Sequence, residues 1–192
     1  SLASALLLIY DLSQIKASRT VMHYLVQMHL SGVLLAVGFI WMYAQSGTFL
    51  FGGLGPFLAS GNGVWPFVVF LVGFGLKAEF VPLHGKIPHV YEHTLPHVSA
   101  ILSGIMVKMG LFGLFRVVMH LQSNWLLLGE IVLSLSIITA LYGALNAAVH
   151  RHMSRMLAYC TIENVGLIGI GVGLGMIGVA LAVPVIVFLG FG

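Results

Sequence analysis

Charged side chains are scarce in this sequence, since Asp, Glu, Lys and Arg make up only 7% of its 192 residues. Because an ordinary soluble domain carries about 25% charged residues, this composition excludes a water-soluble globular fold. Eight Lys and Arg against five Asp and Glu are also too few and too scattered for a nucleic-acid-binding patch. Hydrophobic residues make up 59%, and the mean hydropathy is +1.07. The chain is therefore predicted to be an integral membrane protein.

Cysteine is nearly absent as well, and the single Cys160 excludes an internal disulfide or a thiolate cluster for zinc or iron–sulfur. An initiator Met and the basic segment of a signal peptide are also missing at Ser1, and the last residues are apolar. We therefore expect the chain to be the central part of a longer protein.

The sequence contains several long apolar runs. A membrane-spanning helix needs roughly 20 apolar residues, and most of these runs are about that long. They predict an all-α multi-span bundle with polar loops between the spans. Pro82 should end or kink the second span, which gives a broken helix after Val81. The predicted spans cover residues 21–43, 65–81, 98–118, 125–149 and 156–176, with a sixth beginning in 177–192, and the first loops cover 11–19, 47–63 and 83–96.

Basic residues divide unevenly between the two sets of loops. Alternating the loops leaves only Arg116 near one face, and the positive-inside rule assigns the other face to the cytoplasm. The residues on that second face are Lys16, Arg19, Lys86, Arg151 and Arg155.

Two lysines fall inside predicted spans. Lys77 lies eleven residues past Pro66, roughly 16 Å deep, and Lys108 lies twelve past Pro96, roughly 18 Å deep on the next helix. An ionised lysine there costs about 2.5 to 3.5 kcal/mol, so each should face the bundle interior or water. Desolvation favours the neutral amine and a carboxylate favours the ammonium, so a lysine balanced between them can exchange a proton. A structural lysine, permanently paired or reaching the interface, is the alternative.

Carboxylates near these lysines are candidates for supporting roles. Glu79 stands two residues from Lys77 and so on a different helix face, which makes a carboxylate from another helix the expected partner. Glu163, beside Asn164 in the fifth span, could relay protons or form a structural hydrogen bond, and the sequence favours neither.

The third span is predicted to have two different faces. Small residues on one face favour close helix packing. Lys108 lies on the opposite face, and His97 on that face should mark a hydrated route to it. The small-residue face contains Ser99, Ser103, Gly110 and Gly113; the other contains His97, Ile101, Gly104, Lys108 and Phe115.

Glycines from Gly173 to Gly178 match GxGxxG formally, but no strand or downstream acid accompanies them, so they predict no dinucleotide site. The spacings Gly169/Gly173 and Gly171/Gly175 favour close helix contact instead.

Histidines cluster in the loop after the second span. His84, His89, His93 and His97 invite a metal site, but no Cys or matched carboxylate set joins them and Pro88 and Pro96 interrupt any helix. We expect no metal and interpret these histidines as interfacial or proton-handling groups. An intramembrane His-metal enzyme is the alternative.

Three motifs occur in order: "GFGLKAEFVPLHGKIP" with Lys77, "HVSAILSGIMVKMGLFGLFR" with Lys108, and "RMLAYCTIENVGLIGIG". In this order the chain resembles the antiporter-like membrane subunits of complex I, Mrp-type cation/proton antiporters and membrane-bound hydrogenases. The "AYCTIEN-G" block is most similar to the large membrane subunit of hydrogenase-4 and formate hydrogenlyase. Lys86, "HVYEHTLPHVS" and "HRHMSR" depart from the family pattern, which leaves the cytoplasmic entry region unassigned.

The resemblance implies a fourteen-helix proton or cation channel unit, of which residues 1–192 hold the end of the fifth helix to about the start of the eleventh. It makes Lys77 the lysine of a broken seventh helix, Lys108 that of the eighth, and His84 the histidine of "PLHGWLP". Ser1 and Leu2 match the end of a "WE-x-M-S-L" motif, which puts the partner glutamate just before residue 1.

The implied function is proton translocation in a redox-driven complex of the prokaryotic inner membrane. No quinone, flavin, nickel or iron–sulfur ligand is visible, so no cofactor is expected in this chain. The redox chemistry would belong to a peripheral hydrogenase or NADH dehydrogenase module, alongside other membrane subunits. An Mrp-type sodium/proton antiporter subunit and a purely structural membrane scaffold remain alternatives.

Overall fold

The computed structural model describes residues 15–59, 64–84, 96–122 and 124–191, and within these it describes the side chains except those of 15–21, 51, 59, 96 and 97. These ranges are helical and contain no strand, which confirms the predicted all-α class. The α-helices are α1 Ile15–Ser46, α2 Leu54–Ala59, α3 Val64–Ala78, α4 Pro96–Ile101, α5 Val107–Met119, α6 Trp125–Val149, α7 Met153–Leu181 and α8 Pro184–Phe191. A 3₁₀ turn, Phe51–Gly53, precedes α2, and a π turn, Leu102–Met106, joins α4 to α5 in one continuous helix.

The predicted spans correspond well to the observed helices. α6 has the predicted bounds, while α1, the α4–α5 helix and α7 begin earlier and end later than predicted. Four helices in the described ranges are long and apolar enough to cross a membrane, and α3, at 15 residues, is shorter. One prediction was wrong: residues 47–63 are not all loop, because α2 lies within them. The sixth helix begins at Pro184, within the predicted 177–192, after α7 has continued to Leu181.

The helices run alternately up and down, and sequence neighbours pack together: α1 on α3, α3 on α5, α6 on α7 and α7 on α8, with α5 also contacting α7. The face that carries the start of α1 therefore also carries the start of α4 and the connection between α6 and α7. We call this the α6–α7 connection face. It corresponds to the face predicted to be cytoplasmic.

Glycine sets how closely the helices approach. A Cβ atom at Gly173 would lie 2.9 Å from the Leu133 backbone of α6, and one at Gly171 would lie 3.0 Å from the Gly190 carbonyl oxygen of α8. Gly169 likewise faces α6, and Gly175 faces α8. The predicted small-residue spacings are thus confirmed as packing surfaces.

Apolar side chains stand exposed along α1, at three- and four-residue spacing. Met22, Val26, Leu30, Val33 and Val37 are each more than half exposed. Such a stripe is expected where a helix meets lipid or further apolar helices, and it would be costly in water.

Candidate functional site

Helix α3 ends inside the bundle in a Schellman motif. Glu79 has a φ of 66°, in the left-handed region that usually requires glycine, and the Phe80 N–H donates to the Gly75 carbonyl oxygen at 3.0 Å. The helix thus ends at Ala78, three residues before the predicted end at Val81. Pro82 is not the terminator, because Glu79 has already turned the chain.

We call the turn at Glu79, where α3 ends, the interruption. Gln27 of α1 binds the backbone on both sides of it. Its Nε2 donates to the Leu76 carbonyl oxygen at 3.2 Å and to the Leu83 carbonyl oxygen at 2.9 Å. One turn along α1, the buried Ser31 hydroxyl donates to the Gly73 carbonyl oxygen at 2.7 Å. A helix end in an apolar setting needs such donors, because carbonyls freed from the helix would otherwise be buried without a partner.

Helix α6 supplies the next partner of the segment after the interruption. The Val81 N–H donates to Thr139 Oγ1 at 3.1 Å, and the Thr139 hydroxyl donates to the Leu135 carbonyl oxygen at 2.7 Å. Phe80 is fully buried, and a Cβ atom at Gly169 of α7 would lie 3.0 Å from its ring. Residues 79–84 are therefore anchored by α1, α6 and α7 together.

The Glu79 side chain is buried at this point, with 3% of its surface exposed. Its Oε2 has no hydrogen-bond partner within the described part of the chain. Both the left-handed backbone and the buried, unsatisfied carboxyl oxygen lower the stability of the folded protein. Destabilising features of this kind are found most often at functional sites.

Lys77 lies in the last turn of α3 and is half-buried. The negative end of the helix dipole is there, and it favours a cationic side chain. Gly110 of α5 packs against it: a Cβ atom at Gly110 would lie 2.8 Å from the Ala78 nitrogen and 3.0 Å from the Lys77 Cβ.

Lys108 precedes Gly110 by two residues, about 3 Å along the axis, so it lies at nearly the level of Lys77. Its side chain is exposed and lines a half-open cleft of about 230 Å³ between α5 and α7. Polar groups of α7 face Lys108 across this cleft, namely Thr161 and Asn164. The arrangement could hold a cation or a few waters beside the amine.

The π turn changes which residues share the Lys108 cleft. Ser103 was predicted on the small-residue face, but it lines the cleft together with Lys108. The prediction assumed the α-helical rotation of 100° per residue along the whole helix. The π turn Leu102–Met106 contains an extra residue, so the residues before it are rotated relative to those after it. Gly110 and Gly113 do pack against α3 as predicted.

The other predicted site residues lie near the connection face or on α7. His84 is half-buried in the segment after the interruption, with its Nδ1 unpartnered among the described residues. His97 is in the first turn of α4, but its side chain lies outside the described residues, as do His89 and His93. Glu163 is half-buried, and its backbone packs against Gly143 of α6.

No group of three or more His, Cys, Asp or Glu side chains in the described ranges could hold a metal ion.

Sequence reasoning missed the side chains that hold the interruption, namely Gln27, Ser31 and Thr139. The signal was present: Gln27 is an amide inside a predicted membrane span, and a polar side chain in a span usually bonds to another helix. Tyr142 and Tyr159, which lie beyond His84, were also missed, because tyrosine is common in membrane helices.

Comparison with known proteins gives a family and a fold. A family model described as "NADH:quinone oxidoreductase/Mrp antiporter, TM" matches residues 1–191. Hydrogenase-4 component B of Escherichia coli strain K12 is 36% identical over 170 residues, which are 84% of this chain and 25% of that protein. Formate hydrogenlyase subunit 3 of the same strain is 35% identical over 133 residues, 69% of this chain and 22% of that protein.

A solved structure of the Mrp complex from Dietzia sp. DQ12-45-1b is similar with a TM-score of 0.77 and 22% identity, covering 97% of this chain and 37% of that chain. At this identity the likeness concerns the fold. The chain spans about a quarter of the length of the two Escherichia coli relatives.

Proposed function

Since the chain belongs to the transmembrane family of NADH:quinone oxidoreductase and Mrp antiporter subunits, we propose that it is the central part of a subunit that translocates protons in a redox-driven complex. The predicted resemblance to this family is confirmed, and the relatives named above include hydrogenase-4 and formate hydrogenlyase components. The chain is integral to the membrane, as its family and its apolar helices indicate.

The observation that carries this proposal is the pair of lysines on neighbouring, closely packed helices. Lys77 ends an interrupted helix, and Lys108 lines a polar cleft at nearly the same level. In the proposed step the Lys77 ammonium releases a proton to water, the proton passes to the Lys108 amine, and Lys108 becomes the ammonium. His84 returns a proton to Lys77, with His97, Glu79 and Glu163 in supporting roles.

The energy required is modest. Moving one charge against 100 mV costs about 2.3 kcal/mol. That cost corresponds to about a fifty-fold change in the proton affinity of one group. Desolvation together with one approaching or departing charge supplies changes of this size.

The proposed setting is the prokaryotic inner membrane, in a fourteen-helix unit beside other membrane subunits. A peripheral hydrogenase or NADH dehydrogenase module would carry the redox cofactors, and this chain would carry none. The two Escherichia coli relatives support that choice by their names alone.

The test uses the full-length protein in its purified complex, reconstituted in vesicles that contain a pH-sensitive dye. With NADH or dihydrogen as donor, Lys77→Ala and Lys108→Ala should each reduce proton movement by about a hundredfold or more, the range typical of positioned proton-transfer groups. The matched control is Met109→Ala, an exposed neighbour of Lys108 that should retain full activity.

Unchanged proton movement in an assembled Lys77→Ala complex would overturn the proposal and favour a scaffold role. Sodium-dependent proton movement without any electron donor would overturn its redox part and favour an Mrp-type sodium/proton antiporter.

A further inference from the structure

Four side chains with exchangeable protons lie in series between the interrupted helix and the α6–α7 connection face. The His84 ring centroid is 4.8 Å from that of Tyr142, Tyr142 is 6.2 Å from Tyr159, and Tyr159 is 4.9 Å from His150. All four side chains are half-buried. The series begins at His84, seven residues after Lys77, and ends at His150, which directly follows α6.

The two tyrosines are connected by more than ring packing, because a side-chain hydrogen bond joins their hydroxyl groups. A hydroxyl can accept a proton and donate its own, so a hydrogen-bonded pair of them can pass a proton along. Arg155 lies one turn before Tyr159 on α7, at the end of the series nearer the connection face.

The histidines at the two ends each offer a ring nitrogen for proton transfer. His150 Nδ1 lies 2.8 Å from the Asn146 carbonyl oxygen, and because a carbonyl can only accept, Nδ1 carries the proton and Nε2 keeps its lone pair. His84 Nδ1 is buried and has no partner among the described residues. A buried nitrogen with no partner in this part of the chain can bond to water.

From this series we infer that His150, Tyr159, Tyr142 and His84 form the proton-uptake route from the connection face to the interrupted helix. The inference rests on the proposed function and adds to it the residues by which protons enter. A proton from bulk water binds His150 Nε2 and passes through water to the Tyr159 hydroxyl. The hydroxyl pair passes a proton on as it accepts one, and His84 delivers a proton toward Lys77.

The experiment measures proton uptake by the full-length protein in its reconstituted complex, with NADH or dihydrogen as donor. Tyr142→Phe and Tyr159→Phe keep each ring and its packing but remove the hydroxyl, and each should slow proton uptake by about tenfold. The loss should be smaller than the 10² to 10⁴ typical of a positioned proton-transfer group, because water partly replaces a hydroxyl. Tyr43→Phe is the matched control, since Tyr43 stacks on Phe49 at the opposite face.

A second measurement separates proton transfer from packing. His150→Ala should slow proton uptake by a similar factor, and added imidazole should restore most of the rate, because a small base can occupy the space and carry the proton. A structural role would give no such restoration.

The outcomes for this route and for the proposed function are distinguishable. If Lys77→Ala abolishes proton movement while both Tyr→Phe variants match Tyr43→Phe and imidazole has no effect, the route alone is overturned. If an assembled Lys77→Ala complex still translocates protons, the proposed function fails, and the route fails with it.

Discussion

Replacing Glu79 with glycine should make the protein more stable, although the change removes a charged residue from a candidate site. The left-handed φ of 66° costs a non-glycine residue about 1–2 kcal/mol, which glycine avoids. Removing the buried carboxyl oxygen, which has no partner among the described residues, should recover about 1–3 kcal/mol more. Together, relief of the backbone strain and removal of the carboxyl group could raise the free energy of unfolding by about 2–5 kcal/mol.

Two losses reduce this gain. Glycine loses more backbone freedom on folding, which costs about 0.5–1 kcal/mol. Removing the two buried methylene groups of the side chain costs about 0.8 kcal/mol each. The central values of these ranges give a net stabilisation of about 1 kcal/mol, visible as a higher midpoint when the full-length protein is unfolded by heat in detergent.

Glu79→Ala and Glu79→Gln test the contribution of the carboxyl group. Alanine keeps the left-handed backbone at a cost of about 1–2 kcal/mol. Glycine loses about 0.5–1 kcal/mol of backbone freedom and about 0.8 kcal/mol for one more buried carbon, so the two variants should lie within about 1 kcal/mol of each other. Glutamine keeps both the backbone and a buried polar group, so it should stay close to the original protein. Midpoints for both glycine and alanine at or below that of the original protein would refute the reasoning and would mean that the carboxyl group has a stabilising partner. A more stable Glu79→Gly protein with slower proton movement would fit strain retained for function.

Two further predictions concern packing and hydrogen bonding around the interruption. Gly110→Ala should destabilise the protein by about 1–3 kcal/mol, because its Cβ would lie 2.8 Å from the Ala78 nitrogen, whereas Gly104→Ala, with nothing within 4 Å, should be neutral or slightly stabilising. Equal unfolding midpoints for this pair would contradict the observed contact of α5 with α3. Gln27→Leu should cost about 1–3 kcal/mol by leaving the Leu76 and Leu83 carbonyls without their donor, and Gln27→Glu should not restore the loss, because a carboxylate cannot donate. Faster amide hydrogen exchange at residues 79–84 would check the Gln27 prediction, and unchanged exchange there would contradict it.

The helices could be predicted from sequence because lipid requires long apolar runs, and those runs are long in this chain. The bounds of α6 were predicted to the residue, and the glycine spacings of α7 identified both of its packing faces. These features depend on composition and period alone, so tertiary context altered them little.

The interruption could be predicted only in part, because its details depend on other helices. Pro82 signalled a break, but the end of α3 is set by the left-handed conformation of Glu79, a residue whose type gives no such signal. Ser103 was assigned to the wrong face because a π turn is not encoded by any simple pattern. Gln27 was overlooked because its two acceptors lie 49 and 56 residues away along the chain.

The double attachment of Gln27 has a mechanical consequence. A single planar amide links α1 to the chain before and after the break, so two hydrogen bonds couple these three segments. Sliding of α1 past the break would rupture both attachments at once. Motion during turnover should therefore be confined to side chains and solvent at this position, while any larger helix displacement would arise elsewhere in the bundle.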